Sequence, residues 1–304
     1  MPRGRVHVIL DTVIRGYCIV FLAVSAILLA QKAHMGPSDI PKLPSQPPLA
    51  KIAYGSAPQQ FAELRLPSSK GPFPVIALLH GGCYGDYADA SYTAPMATAL
   101  VKEGWATWNL EYRREHEPGG GWPGTFLDAG NGVDALRGAA AKYSLDLSRV
   151  VTMGHSAGGQ LALWVAARGR VPRSSEVYMQ NPLPVRGVVS IAGIVDMRAF
   201  ATYGLEPCGE RHIRVVGGMP DKQPARYAAV SPAELLPLNV PQVLVWGSDD
   251  RVVPEFLFKD YENRVRAHDH AEILVLQGLG HHDLCVPEGS NWAQLVAATA
   301  RLLH

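Results

Sequence analysis

Short apolar runs rich in β-branched residues recur along the chain at 75–79, 106–110, 150–153, 188–191, 243–246 and 273–276. Longer stretches with helical spacing, 92–102, 125–143, 158–167, 254–267 and 292–303, alternate with them. A strand that is apolar throughout must be covered on both faces, and alternation with helices supplies that cover. The pattern therefore predicts an α/β fold with a mostly parallel sheet and helices on both sides. Residues 61–66 alternate instead and read as an antiparallel edge strand. Between the third and fifth of these runs, 171–183 and 200–237 are proline-broken and too short for a large cap, so they predict a small cover over the carboxyl edge of the sheet.

The amino terminus breaks this pattern. Arg3 and Arg5 precede an apolar stretch at 17–30, which is shorter than the roughly 20 residues of a spanning helix and suits the apolar region of a signal peptide. Asp11 and Arg15 interrupt its lead-in and no small-residue pair marks a cleavage site, so an uncleaved membrane anchor is the alternative for 1–30. Either reading implies export or membrane attachment. Pro37, Pro41, Pro44, Pro47 and Pro48 make 31–59 an extended linker, leaving 60–304 as one folded domain. In the whole chain of 304 residues, 47% hydrophobic residues suffice for a large core, and a net charge of +1 with interspersed signs excludes a nucleic-acid surface. Small molecules are the expected partners.

In open α/β sheets, reacting groups gather at the carboxyl ends of strands. One such end reads Gly154-His155-Ser156-Ala157-Gly158-Gly159, a strand running through a sharp turn into an apolar helix. Glycines around a serine keep side chains out of that turn, so its hydroxyl projects above the sheet. A serine hydroxyl needs a base to take its proton and an acid to orient the base. Asp250 and His281 follow later strands in the order Ser156, Asp250, His281. The turn His80-Gly81-Gly82-Cys83 can offer the backbone N–H groups of Gly82 and Cys83, beside that of Ala157, to a developing oxyanion. His80 and His155 read as structural. No cofactor is called for, and neither His268-Asp269-His270 nor His281-His282-Asp283 has the spacing of a metal site.

Four motifs in this order, His80-Gly81-Gly82, Gly154-x-Ser156-x-Gly158-Gly159, Gly247-x-x-Asp250-x-x-Val253-Pro254 and Gly280-His281-x-Asp283, resemble the α/β-hydrolase superfamily. Within it the chain is similar to the bacterial esterase and kynurenine-formamidase-like (BD-FAE-like) branch, and also to the catalytic domain of prolyl oligopeptidases. The resemblance selects Asp250 over Asp249 and His281 over His282. It implies a serine hydrolase that cleaves carboxylic esters, or activated amides, through an acyl-enzyme on Ser156. An arylformamidase is the alternative, and a non-catalytic binding protein on the same fold a further one. Formamidases of this type carry a tryptophan where this chain has Tyr84, which argues against that assignment. Tyr84 and Trp122, on strand-end loops, are the expected substrate contacts.

Four cysteines, Cys18, Cys83, Cys208 and Cys285, have no paired close spacing. After export, Cys83, Cys208 and Cys285 allow one bridge in three pairings. A Cys208–Cys285 bridge, pinning the histidine loop, is the expectation taken forward.

Overall fold

The computed structural model describes residues 34–203 and 208–303. The apolar stretch 17–30, with its signal or anchor reading, lies outside the described residues. Among the described residues no helix is long and apolar enough to cross a membrane. The unit from Met35 onward is built on an eight-stranded sheet.

Its strands are β1 (Ala50–Ala53), β2 (Phe61–Arg65), β3 (Phe73–Leu79), β4 (Ala106–Leu110), β5 (Leu145–His155), β6 (Gly187–Ile191), β7 (Gln242–Gly247) and β8 (Ala271–Leu276). Their spatial order is β1-β2-β4-β3-β5-β6-β7-β8. β1 and β2 run antiparallel to each other, β2 runs antiparallel to β4, and the remaining pairings are parallel. This is the α/β-hydrolase arrangement that the motifs implied.

The alternation of side chains across the pleat explains why the central strands are apolar at every position. Val75, Ala77 and Leu79 of β3 enter one core, while Ile76 and Leu78 enter the other. The first core is closed by helices α2 (Gly124–Asp134), α3 (Leu136–Tyr143), α4 (Ala157–Ala167) and α8 (Glu255–His268). α1 (Ala94–Lys102) and α9 (Gly289–Leu303) close the second. Three short helices, α5 (Met197–Tyr203), α6 (Arg211–Arg214) and α7 (Pro224–Val230), lie between β6 and β7 and form the small cover.

Three expectations change. The helix expected over 125–143 divides at Ala135 into α2 and α3; three glycines, Gly130, Gly132 and Gly138, weaken helical continuity there. β2 is antiparallel as expected but is not the edge, because β1 pairs along its outer side. β1 comes from the proline-rich stretch, which is no free spacer after Met35. Ile40 is fully buried in the second core, Gln46 N–H donates to Thr98 Oγ1 at 2.8 Å, and Leu49 N–H donates to the Leu64 carbonyl at 2.8 Å. Prolines lack an N–H, so this tract is tied down through its other residues and laid along the domain.

Candidate active site

β5 ends at His155, and α4 begins at Ala157 with no residue between them except Ser156. Ser156 sits at φ 56° and ψ −122°, outside the regions a serine normally occupies. The surroundings force this conformation. A Cβ on Gly154 would lie 2.1 Å from the Gly158 carbonyl oxygen, and one on Gly158 would lie 2.1 Å from that of Leu79. Ser156 N–H donates to the Ile191 carbonyl on β6 at 2.8 Å, so the turn is also tied laterally to the sheet.

Asp250 and His281 come from the loops after β7 and β8. His281 Nδ1 lies 2.8 Å from Asp250 Oδ2, and both residues are buried. Asp250 Oδ1 accepts the backbone N–H groups of Val252 at 2.7 Å and Val253 at 3.0 Å. These bonds fix the carboxylate and leave its other oxygen for the imidazole. Asp249 is exposed and takes a bond from Ser248 Oγ at 3.0 Å. With Nδ1 committed to Asp250, Nε2 is the His281 nitrogen left for the cavity.

Ser156 and His281 line one cavity of about 250 Å³, together with Gly82 and Cys83. Gly82 (φ 96°) and Cys83 (φ 54°) both have positive φ, which turns the backbone after β3 sharply over the site. Ala157 N–H belongs to the first turn of α4, where helix donors have no partner within the helix. Beneath this turn, the His80 ring stacks on Tyr112 at 4.2 Å between ring centres and meets Glu111 Oε1 at 3.2 Å; Tyr112 Oη donates to the His80 carbonyl at 2.7 Å.

The expected disulfide is different. Cys208 joins Cys83, with their Cα atoms 5.4 Å apart, and Cys285 is a buried free thiol that burial pushes up to about 12. The bridge therefore pins the cover to the glycine-rich turn, and the histidine loop is held by hydrogen bonds instead. The two expected substrate contacts also move. Tyr84 (φ 61°) turns inward, is fully buried and donates to Gln160 Oε1 at 3.0 Å. Trp122 lies at a separate depression, where its Nε1–H donates to Glu176 at 2.7 Å and Arg226 stacks on its ring.

The walls that the sequence did not reveal include Pro37 from the proline-rich tract and Tyr92 from the turn before α1. Tyr92 Oη lies 3.1 Å from His155 Nδ1 and 2.9 Å from His282 Nδ1, and His155 Nε2 lies 3.0 Å from the His281 carbonyl oxygen. Burial, reinforced by His281 and His282, holds His155 well below the usual histidine range. Burial, followed by the charge of His281, brings His282 down to about 4. A polar residue inside the apolar end of β5 was the available signal for His155. Among the described residues no group of three or more His, Cys, Asp or Glu could hold a metal ion.

Comparison with known proteins agrees with this architecture. A truncated carbohydrate esterase from gut microbiota superposes with a TM-score of 0.72 at 20% identity, covering 84% of this chain and 99% of that one. Esterase 2 of Thermogutta terrifontis, phosphonylated by cyclosarin, gives a TM-score of 0.65 at 18% identity, covering 84% and 93%. In sequence, the chain is 28% identical over 252 residues to a probable isoprenylcysteine alpha-carbonyl methylesterase, ICMEL1, of Arabidopsis thaliana. That alignment takes in 77% of this chain but only 50% of the plant protein, so the chain spans about half the length of this relative. The BD-FAE family model matches residues 63–260, from β2 through Asp250 into α8, and the chain belongs to the BD-FAE family.

Proposed function

We propose that this chain is a serine carboxylesterase that works through an acyl-enzyme on Ser156. The observation that carries the reading is the buried 2.8 Å contact between Asp250 and His281 at the wall of the cavity that also holds Ser156. His281 Nε2 takes the Ser156 proton as the oxygen attacks the ester carbonyl, and then returns it to the departing alcohol. Asp250 holds the imidazole in the tautomer this needs and stabilises the imidazolium. The N–H groups of Gly82, Cys83 and Ala157 receive the negative charge on the carbonyl oxygen, each worth about 3–4 kcal/mol in the transition state. Water then repeats the sequence on the acyl-enzyme.

A cavity of about 250 Å³ with mostly apolar walls suits an ester with one small apolar side, either acyl group or alcohol. The probable methylesterase among the similar proteins is in keeping with one small group. Export fits both the apolar stretch at 17–30 and the Cys83–Cys208 bridge, since disulfides persist in oxidising compartments.

Initial rates on a p-nitrophenyl acyl series and on N-formylkynurenine, with wild type and Ser156→Ala, test the proposal. Ester turnover is expected to fall by about a million-fold in the variant. A loss below about tenfold would overturn the reading, and preferential serine-dependent cleavage of the formamide would replace it with the arylformamidase.

A further inference from the structure

Tyr92, His155 and His282 form a hydrogen-bonded group at the cavity wall for which the reaction above has no use. Its proton count is constrained. The His281 carbonyl can only accept, so His155 Nε2, 3.0 Å away, must carry a hydrogen. The opposite tautomer would set two lone pairs against each other at that distance. With a hydrogen on Nε2, neutral His155 presents a bare Nδ1, and Tyr92 Oη at 3.1 Å donates to it. A phenol has one hydrogen, so its contacts with His282 at 2.9 Å and with Cys285 Sγ at 3.5 Å run the other way, from His282 Nδ1–H and the Cys285 thiol to Tyr92 Oη. The chain has a single consistent direction, from His282 through Tyr92 and His155 to the main chain of His281.

We infer that Tyr92 is a positioning residue, which donates to the Nδ1 that the His281 carbonyl leaves bare on His155 and so holds that ring, and through it the backbone of His281, in place. The anchor matters because the His281 side chain is fixed at Nδ1 by Asp250, while its main chain sits in a loop without a disulfide. The His155 ring also lies against the His281 ring, 4.5 Å between centres. A neutral His155 presents no like charge to the imidazolium that forms there, and its burial keeps it neutral. The effect on turnover rests on the esterase reading; the tautomer does not.

The test uses the intact protein and the variants Tyr92→Phe and His155→Gln, alone and combined. Side-chain ¹³C and ¹⁵N shifts of His155 in wild type are expected to show the Nε2–H form, and Tyr92→Phe is expected to move the Nδ1 resonance as that nitrogen loses its hydrogen-bond donor. In the same variant, kcat on p-nitrophenyl acetate should fall by about tenfold, the loss of one buried hydrogen bond, with KM within about twofold. His155→Gln offers an amide N–H to the His281 carbonyl without the ring nitrogen that Tyr92 holds, so adding Tyr92→Phe to it should cost less than about threefold. An Nδ1–H His155 in wild type would overturn the inference. So would a Tyr92→Phe variant with unchanged His155 shifts, or an equal loss when Tyr92→Phe is added to His155→Gln. If Ser156→Ala keeps its activity while Tyr92→Phe moves the His155 Nδ1 resonance, the esterase reading fails and the positioning role stands.

Discussion

The elbow around Ser156 and the strap at 35–43 reach the same cavity but are held in opposite ways. In the elbow, backbone stands against backbone, and a single Cβ at Gly154 or Gly158 would meet a carbonyl oxygen at 2.1 Å. The strap is held by side chains and a few specific bonds. Ile40 is buried in the second core, Gly36 N–H donates to Asp39 Oδ2 at 3.0 Å, and Met35 N–H donates to Asp283 Oδ1 at 2.7 Å. The other oxygen of Asp283 accepts Gly280 N–H at 2.9 Å, so one carboxylate joins the strap to the turn that carries His281. Placement of the reacting atoms is thus imposed by excluded volume. The shape of the pocket wall depends on contacts that substitution can change gradually.

Gly158→Ala strikes the rigid side of this contrast and should have the largest effect. Its Cβ would be 2.1 Å from the Leu79 oxygen and 2.4 Å from the His80 oxygen, and no rotamer relieves a clash with main chain. The turn must open, which displaces Ser156. A misplacement of about 1 Å is enough for a loss of about a hundredfold, so turnover should fall by at least that much, alongside a lower soluble yield. Near-wild-type kcat on p-nitrophenyl acetate would show that the elbow relaxes, and the contrast would collapse.

Pro37→Gly probes the adaptable side. Pro37 contributes wall and no chemistry, so the rate on acetyl esters should stay within about twofold. The ratio of kcat/KM for octanoyl over acetyl esters should rise by about tenfold, the scale on which a pocket wall discriminates against added methylenes. An unchanged ratio across the acyl series would mean that the acyl chain leaves the cavity elsewhere, and the strap would lose its role in selectivity.

The same division governs what the sequence revealed. The elbow, Asp250 and His281 are legible because each follows an apolar strand and each local pattern has a steric or chemical reason. Ser156 needs Gly158, and Asp250 needs the Val252 and Val253 N–H groups that follow it at once. The strap was hidden because prolines mark a chain that cannot join a ladder through its own N–H, without saying whether it stands free or is laid down. β1, four residues with alternate side chains half-buried, is too short to stand out beside them. The Cys83–Cys208 pairing links positions 125 residues apart and was one of three equal choices. Tyr84 departs from its expected place because the positive φ of Cys83 and Tyr84 turns that ring toward Gln160, away from the cavity. Side-chain direction after such a turn depends on the fold around it.

Acidification gives the smallest effect, and it compares the site with the cover. His155 at the site and His212 on α6 are buried and His282 is half-buried, and desolvation favours the neutral form of all three, bringing His212 down to about 4. A histidine with a lowered folded pKa binds more protons when unfolded. Stability contributed by the neutral form is therefore full above about pH 6.5, falls as the pH drops, and levels off once the folded group also protonates near pH 4. Thermal unfolding at pH 7 and pH 5 should show this decline in wild type. His212→Gln removes one of the three groups, and the decline in Tm between the two pH values should shrink by about 2 °C. An undiminished decline would place the acid sensitivity in His155 and His282. In that case the steric rigidity of the elbow would coexist with an electrostatic weakness one residue away, and the cover would be the pH-tolerant part of the molecule.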